Sequence, residues 1–466
     1  MVNKRLDLTK GHIGKSLIKL ALPIMGTSFI QMAYNIIDMM WVGKDGSNSV
    51  AAVGTAAFYP WLAIAFIVIS KAGGEIKVAQ SVGNKNFKTA KEYIKAAIEL
   101  NVILSVIYTT VMIVFNKPLI ELFRLGDAGV IRSAREYLII VSIGMVFYFI
   151  NPVFTSIFNG LGNSKTPFII NTIGLVCNIV LDPVLIFGIG PFNRMGVRGA
   201  AIATALSQVI VTLIFISIII KTKNEFFKVK LFKNIKTGYY KILFNLGLPV
   251  ALQSGLFTVF SMVMGVLIAK FGSEAIAAQK VGSQIESISW TSAEGLAAAL
   301  STFVGQNYGA KKYDRINKGS RFAIVSALVW GTFTSLVLIL LCKPLFTLFI
   351  NEPDAILKGS DYLRILGYSQ LFMCLEITID GIFKGAGRTK IPSYISIILT
   401  GARIPMALVL SSDKLLGLNG IWWSISISSI FKGIIMLGVF VYLHKKDRFY
   451  IQDKVDDATL FSVESL

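Results

Sequence analysis

The chain alternates long apolar runs with short polar loops over nearly its whole length. A bilayer core about 30 Å thick needs about 20 mostly apolar residues for each helix that crosses it. Runs of this kind predict twelve membrane-spanning helices. They cover residues 17–42, 50–72, 91–115, 134–157, 167–189, 198–220, 243–269, 275–300, 321–342, 362–383, 392–411 and 418–443.

The polar segments between and after these runs predict how the chain is divided. One long polar connection, 221–241, lies at the middle of the chain and carries many lysines. We therefore expect an N-lobe at 1–220 with helices 1–6 and a C-lobe at 242–446 with helices 7–12. The segment 221–241 is predicted to be a cytoplasmic basic linker, and 447–466 a polar C-terminal tail.

Composition supports a membrane protein. Hydrophobic residues make up 54% of the chain and charged residues 15%, and the mean hydropathy is +0.67. Soluble domains carry about 25% charged residues, so that the apolar excess must face lipid. The net charge of +20 is concentrated in the linker and in alternate loops. The positive-inside rule then places both termini in the cytoplasm, in a multi-pass protein of the cell (inner) membrane.

The residue types that support most enzyme sites are scarce. Only two histidines occur, His12 and His444, near opposite ends of the chain, and the three cysteines all lie in apolar segments. A catalytic centre or a transition-metal centre usually draws on histidine or cysteine. The sequence therefore predicts a protein that is not an enzyme and needs no cofactor. The net positive charge fits the positive-inside rule of a membrane protein, so that no nucleic-acid partner is expected.

The two halves of the chain repeat each other. Three landmarks of the first half return in the second half at a shift of 225 or 226 residues. They are ALPIMGTSF at 21–29 and GLPVALQSG at 247–255, AQSVGNKNF at 79–87 and GQNYGAKKY at 305–313, and FNGLGNSKTP at 158–167 and FKGAGRTKIP at 383–392. Six helices per half give both copies the same orientation, which predicts two lobes around a central cleft and transport by alternating access. A complete internal repeat also favours a monomer.

Several of these segments resemble the multidrug and toxic compound extrusion (MATE) transporters. The resemblance runs from about Gly14 to Lys446 and is carried by LPIMGTSFIQMAYNIIDMMWVG, NIVLDPVLIFGIG, MGVRGAAIATALSQ, GLGNSKTP and VGQNYGAKKYDR. It implies efflux of small organic, often cationic compounds, driven by inward flow of Na⁺ or H⁺.

Ionisable residues inside a membrane span are costly and are therefore candidates for function. Asp38 lies in helix 1, and Asn178 and Asp182 lie one turn apart in helix 5, with Thr204 in helix 6. Carboxylate, amide and hydroxyl oxygens are the ligands of hard cations, and two neighbouring carboxylates repel unless a proton or a cation neutralises them. The resemblance implies that these four residues form a cation site for Na⁺ or H⁺. The structural alternative is that Asp182 only caps a broken helix and Asp38 only bonds to a neighbouring hydroxyl.

Three polar residues are candidate accessories of this N-lobe site. Tyr34 and Asn35 precede Asp38 by about one helical turn and share its face. Asn151 lies in helix 4 and corresponds to Glu376 in the repeat.

The second half lacks a copy of the aspartate pair, because the equivalents of Asp38 and Asp182 are about Met264 and Ala407. It contains other acids within predicted spans. Glu376 and Asp380 lie one turn apart in helix 10, and Glu294 lies in helix 8. These three acids are candidates for an acidic wall that binds a cationic substrate or a second proton, or for structural hydrogen bonds.

Pro23 and Pro249 occupy equivalent positions in helices 1 and 7, where proline removes a backbone hydrogen bond and permits a kink. Such kinks could couple the cation site to a change in the cleft or could be static.

Secondary active efflux of organic cations is the leading functional hypothesis. The alternative is a lipid or glycolipid flippase of the same two-lobed superfamily, which should show a strongly basic cavity. We expect the charges inside the membrane to be mainly acidic, and this expectation favours cationic cargo.

Overall fold

The computed structural model describes residues 5–222, 224–233, 236–350, 352–412, 414–446 and 449. Its regular structure is helical. The described residues of the first half form nine α-helices. They are α1 (Ile13–Asp45), α2 (Ser47–Ala56), α3 (Phe58–Gly83), α4 (Phe87–Val114), α5 (Asn116–Glu121), α6 (Ala128–Ile143), α7 (Met145–Gly160), α8 (Lys165–Phe187) and α9 (Val197–Lys221).

Within its described part, the second half forms nine more helices, preceded in the linker by a 3₁₀ turn at Glu225–Phe227. They are α10 (Thr237–Ala269), α11 (Ser273–Gly309), α12 (Tyr313–Leu340), α13 (Cys342–Thr347), α14 (Pro353–Gly367), α15 (Gln370–Gly385), α16 (Lys390–Gly401), α17 (Arg403–Leu410) and α18 (Leu418–Lys445). The predicted tail 447–466 lies outside the described residues, except for Phe449.

Helices occur at all twelve predicted spans, and most run longer than predicted. Among the described residues, nine helical segments are long and apolar enough to cross a membrane, and two bent pairs raise this number to eleven. The pairs are α6 with α7, bent by 50°, and α14 with α15, bent by 51°. The remaining predicted span lies within α11, which is helical but more polar because it contains Glu274, Lys280, Glu286 and Glu294.

The described residues form two compact units. The first unit contains Leu22–Ala251 and the residues up to Asp7, and the second contains Leu8–Ala21 and the residues from Leu252 onward. These units differ from the predicted lobes, because the start of α1 belongs to the second unit and the linker with the start of α10 belongs to the first. The chain therefore passes between units inside α1 and inside α10, next to Pro23 and Pro249. Both helices continue through their proline, so that a functional kink stays a prediction.

Side-chain hydrogen bonds fix the linker within the first unit. Glu99 on α4 is buried and accepts hydrogen bonds from the backbone N–H of Phe232 and the hydroxyl of Tyr240. Lys95, one turn earlier on α4, donates to the backbone carbonyl of Lys233. The linker is therefore bound to α4 on both sides of the gap in the described chain.

The segment before α1 is fixed in the second unit in a similar way. Leu8 is fully buried, and the guanidinium of Arg315 on α12 donates to the backbone carbonyls of Leu8, Lys10 and Gly11 over 3.0–3.1 Å. Asn307 on α11 also donates to the carbonyl of Leu8, over 3.1 Å. These bonds satisfy carbonyls that lie outside any helix.

Candidate functional site

The first unit brings together the four residues predicted to form the cation site. Asp38 on α1 and Asp182 on α8 lie close enough for their carboxyl groups to interact directly. The side-chain amide of Asn178, one turn earlier on α8, donates to Asp182 Oδ1 over 3.1 Å. Thr204 on α9 lies beside Tyr34 of α1. We call Tyr34, Asp38, Asn178, Asp182 and Thr204 the cation cluster.

Close packing of α9 on α8 positions two of the three helices that carry the cation cluster. A Cβ atom placed on Gly199 would lie 2.4 Å from the backbone carbonyl oxygen of Leu185, a distance that no side chain can occupy. Glycine at this position therefore allows the two backbones to touch near the start of α9. Thr204 follows Gly199 by little more than one turn, and Asp182 precedes Leu185 by one turn.

The oxygens of the cation cluster are buried but poorly satisfied. Asn178 and Asp182 have no exposed surface. Among the described residues, five buried cluster atoms have no hydrogen-bond partner. These atoms are Tyr34 Oη, Asp38 Oδ1, Asn178 Oδ1, Asp182 Oδ2 and Thr204 Oγ1. Buried polar groups are nearly always paired, so that five oxygens without a partner in one cluster keep an unused capacity to bind a proton or a cation.

The two acids of the cluster also lack a basic partner. No lysine or arginine in the described part of the chain forms an ion pair with Asp38 or Asp182. Carboxylate, amide and hydroxyl oxygens are the donor set of a hard cation such as Na⁺, and a proton on one carboxyl would also reduce the repulsion. The residues present therefore fit either coupling ion, and their assignment as a cation site stays a prediction.

The predicted accessory residues differ in their placement. Tyr34 belongs to the cluster, whereas Asn35 is exposed and forms no hydrogen bond within the described chain. Asn151 on α7 is buried and fully bonded to α9. It donates to the side chain of Gln208 over 2.8 Å and accepts from Thr212 Oγ1 over 2.7 Å. Asn151 therefore fixes α7 to the same face of α9 that carries Thr204.

Sequence reasoning missed Tyr137 as a neighbour of this site. Tyr137 lies on α6, is buried, and interacts with Asp38, Asp182, Tyr34 and Thr204. A single tyrosine in an apolar span gives little signal by itself, because tyrosine is common in such positions.

The predicted acids of the second half lie in a different setting. Glu376 on α15 is buried, and its Oε2 atom forms an ion pair with Lys432 Nζ of α18 at 2.8 Å. Its Oε1 atom accepts a hydrogen bond from Ser396 over 2.8 Å. Asp380 pairs with Lys384, one turn later on α15.

Glu376 and Asp380, two members of the expected acidic wall, are therefore each paired with a lysine. Glu294 on α11 differs from these two acids, because its side chain is exposed. A role for these three acids in binding substrate or a second proton stays a prediction.

The expectation that the charges inside the membrane are mainly acidic stays a prediction, but it left out two buried bases. Lys432 and Arg403 are both buried in the second unit, on α18 and α17. Both residues lie inside predicted spans, at 418–443 and 392–411, so that the sequence carried the signal of an ionisable residue within the membrane. The prediction considered only the acids within the spans and therefore missed these two bases.

Comparison with known proteins gives a family match. The family model MatE matches residues 23–184 and 249–409, which are the two halves of the internal repeat. The probable multidrug resistance protein NorM of Thermotoga maritima is 29% identical over 431 residues, covering 92% of each chain. The probable multidrug resistance protein YoeA of Bacillus subtilis is 26% identical over 445 residues, covering 94% of this chain and 96% of the relative.

Solved structures share the fold. A MOP superfamily transporter from Pyrococcus furiosus superimposes with a TM-score of 0.87, at 22% identity, covering 97% of this chain and all of that one. A MATE transporter of Vibrio cholerae, VcmN, superimposes with a TM-score of 0.86, at 19% identity, covering 94% and 99% of the two chains.

Proposed function

The chain belongs to the MATE family of multi-pass membrane transporters, which are not enzymes, and we propose that it exports small organic compounds in exchange for an inward-flowing cation. The curated relatives named as multidrug resistance proteins support export of organic compounds. Export by alternating access, as a monomer in the cell membrane with both termini in the cytoplasm, is part of the same proposal.

The observation that carries the proposal is the unsatisfied, negatively charged cation cluster. An antiporter must bind a cation and then release it, so its site must neither be neutralised by the protein nor hold the cation permanently. Asp38 and Asp182 have no basic partner among the described residues, and one oxygen of each lacks a hydrogen bond. Na⁺ or H⁺ would neutralise the pair, and its release would restore repulsion between the two carboxylates. Transport of a cationic compound then exchanges one positive charge for another.

The test is efflux of a cationic dye from liposomes that contain the purified protein, under an imposed Na⁺ or H⁺ gradient. The wild type is compared with Asp38→Asn and with the control Asp45→Asn. Asp45 lies on the same helix, where it accepts from Arg194 over 2.9 Å and from Ser49 over 2.6 Å. An asparagine oxygen can still accept one of these bonds, so that the control removes a carboxylate outside the cluster.

Gradient-driven efflux that is lost in Asp38→Asn and kept in Asp45→Asn is the expected result, and the effective gradient identifies the ion. Efflux that persists in Asp38→Asn would overturn the role of the cluster. If no gradient moves the dye, while a fluorescent lipid crosses between leaflets regardless of Asp38, the protein is a flippase instead.

A further inference from the structure

The packing of two helix pairs fixes which residues of the two halves are equivalent. A Cβ on Gly420 of α18 would lie 2.1 Å from the carbonyl oxygen of Leu410 on α17. The same contact joins Gly199 of α9 to Leu185 of α8, at 2.4 Å. The pair α17 and α18 therefore packs in the same register as α8 and α9.

The turn before each second helix confirms this register. Gly196 precedes α9 with φ 53° and ψ −128°, and Gly417 precedes α18 with φ 53° and ψ −132°. Leu185 and Leu410 are 225 residues apart, whereas Gly196 and Gly417 are 221 apart because the second loop is shorter.

These two shifts place a positive charge where the first unit has a ligand of the cation cluster. Arg403 is the equivalent of Asn178, at a shift of 225, and Ala407 is the equivalent of Asp182. Ser428 and Ser429 on α18 are the equivalents of Ser207 and Gln208 on α9, at a shift of 221.

Arg403 is held in this position by bonds to α18. Its Nε atom donates to Ser428 Oγ over 3.2 Å, and an Nη atom donates to Ser429 Oγ over 3.0 Å. The guanidinium is buried, and Glu376 and Glu286 interact with it electrostatically. Glu286 in turn accepts hydrogen bonds from Tyr362 over 2.8 Å and from Gln370 over 2.9 Å.

The charges of this region balance without any added ion. Three acids lie close to three bases, so that the formal charges sum to zero. The acids are Glu286, Glu376 and Asp380, and the bases are Lys384, Arg403 and Lys432. The cation cluster of the first unit, by contrast, contains two acids and no base.

We propose that Arg403 is the built-in cation of the second unit. Its guanidinium bonds to the counterparts of Ser207 and Gln208, about one helical turn beyond that of Thr204, and it faces Glu376 and Glu286. Its charge therefore balances buried acids that would otherwise need an ion from solution. The second unit therefore carries its cation permanently within the chain, and only the first unit exchanges a cation during transport. This last step rests on the proposed function, whereas the built-in cation itself does not.

The test is chemical rescue of Arg403→Ala by the guanidinium ion. This substitution removes the charge and leaves a space the size of the lost group. We expect it to lower dye efflux about tenfold or more, because it leaves the buried Glu286 without the positive charge that acts on it. Guanidinium at millimolar concentration, far below its denaturing range, should restore most of the lost efflux, and Na⁺ should not.

A second measurement does not depend on transport. The midpoint of thermal unfolding, Tm, of purified Arg403→Ala in detergent should fall, and guanidinium should raise it again without affecting the wild type. Arg198→Ala is the matched control, since Arg198 pairs with Glu136 at 2.6 Å but is 55% exposed. Its Tm should change little, and guanidinium should not alter it.

Arg403→Gln separates charge from hydrogen bonding, because glutamine can still bond to the two serines. Arg403→Gln should also lose Tm and recover it with guanidinium. A wild-type Tm for Arg403→Gln without guanidinium would overturn the proposal and leave only a hydrogen-bonding role. A fall in Tm for Arg403→Ala that guanidinium does not reverse would also overturn it. If the wild type moves no dye, the proposed function fails, and the Tm measurements still decide about Arg403.

Discussion

The two units solve the problem of buried charge in opposite ways. In the first unit, Asp38 and Asp182 interact with each other and lack a basic partner among the described residues. In the second unit, Glu376 is neutralised by Lys432 at 2.8 Å. The scaffold is repeated but the charges are not. Under the proposed function, a site that binds and releases an ion is left incomplete, whereas the buried acids of the second unit are neutralised by the chain itself.

Removing one partner of the buried pair should give the largest loss of stability. Lys432→Met leaves Glu376 charged and buried, which costs about 3–5 kcal/mol of the free energy of unfolding. Thermal or denaturant unfolding in detergent measures this loss. The control is Lys117→Met, since Lys117 and Glu121 are 3.9 Å apart and 65% and 50% exposed. Exposed pairs contribute about 0–1 kcal/mol, and an equal loss in both variants would contradict the comparison.

Methyl groups at the two equivalent glycine contacts should harm both units alike. Gly199→Ala and Gly420→Ala each place a Cβ against a backbone carbonyl oxygen, at 2.4 and 2.1 Å. We expect each variant to lose about 1–3 kcal/mol of stability from overpacking.

Gly438→Ala is the control for this pair, because nothing lies within 4 Å of a Cβ at that position of α18. It should be neutral or stabilising by up to about 1 kcal/mol, from the higher helix propensity of alanine. A loss of stability in only one of the two glycine variants would show that the two helix pairs differ in packing although their registers match.

Removing a charge from the cation cluster should not reduce stability. Asp38→Asn relieves the repulsion between two carboxylates, so that the free energy of unfolding should be unchanged or higher by on the order of 1 kcal/mol. Unfolding of the same preparations used for dye efflux tests this expectation. A clear loss of stability would show that Asp38 has a structural role, in contrast to the incomplete site described above.

The smallest effect is expected at Asn35. Its side chain is exposed and unbonded within the described chain, so that Asn35→Ala should change stability by less than about 0.5 kcal/mol. Dye efflux should remain at the wild-type level, whereas Thr204→Ala should reduce it. Reduced efflux in Asn35→Ala would show that Asn35 takes part in the cation site.

The sequence predicts helices at the right places because apolar length and the internal repeat act together. It does not predict the bends between α6 and α7 or between α14 and α15, since these lie within runs that are apolar on both sides. The sequence also does not predict that α1 and α10 each pass from one unit to the other, because this depends on which helix each end contacts. Apolarity states that a segment is buried or faces lipid, and not which neighbour it meets.

The candidate site was predictable to a similar degree. Spacing of four residues predicts that Asn178 and Asp182 share a face, and the hydrogen bond between them agrees. That α1, α8 and α9 meet at one point could be expected only from the resemblance to known transporters. The shift of 225 that maps Asp182 to Ala407 also maps Asn178 to Arg403. The sequence thus contained the equivalence of Asn178 and Arg403. Only the packing of α17 on α18 shows that Ser428 and Ser429 bind the guanidinium.

The passage of α1 and α10 between the compact units has a consequence for the origin of the molecule. If a single six-helix protein was duplicated to give this chain, its first helix would have belonged partly to a second copy of the same protein. Two separate copies would then have exchanged these helix ends, as in a domain-swapped dimer. Fusion of the two genes would have made that exchange permanent, and neither half could then be cut free without losing part of its own packing.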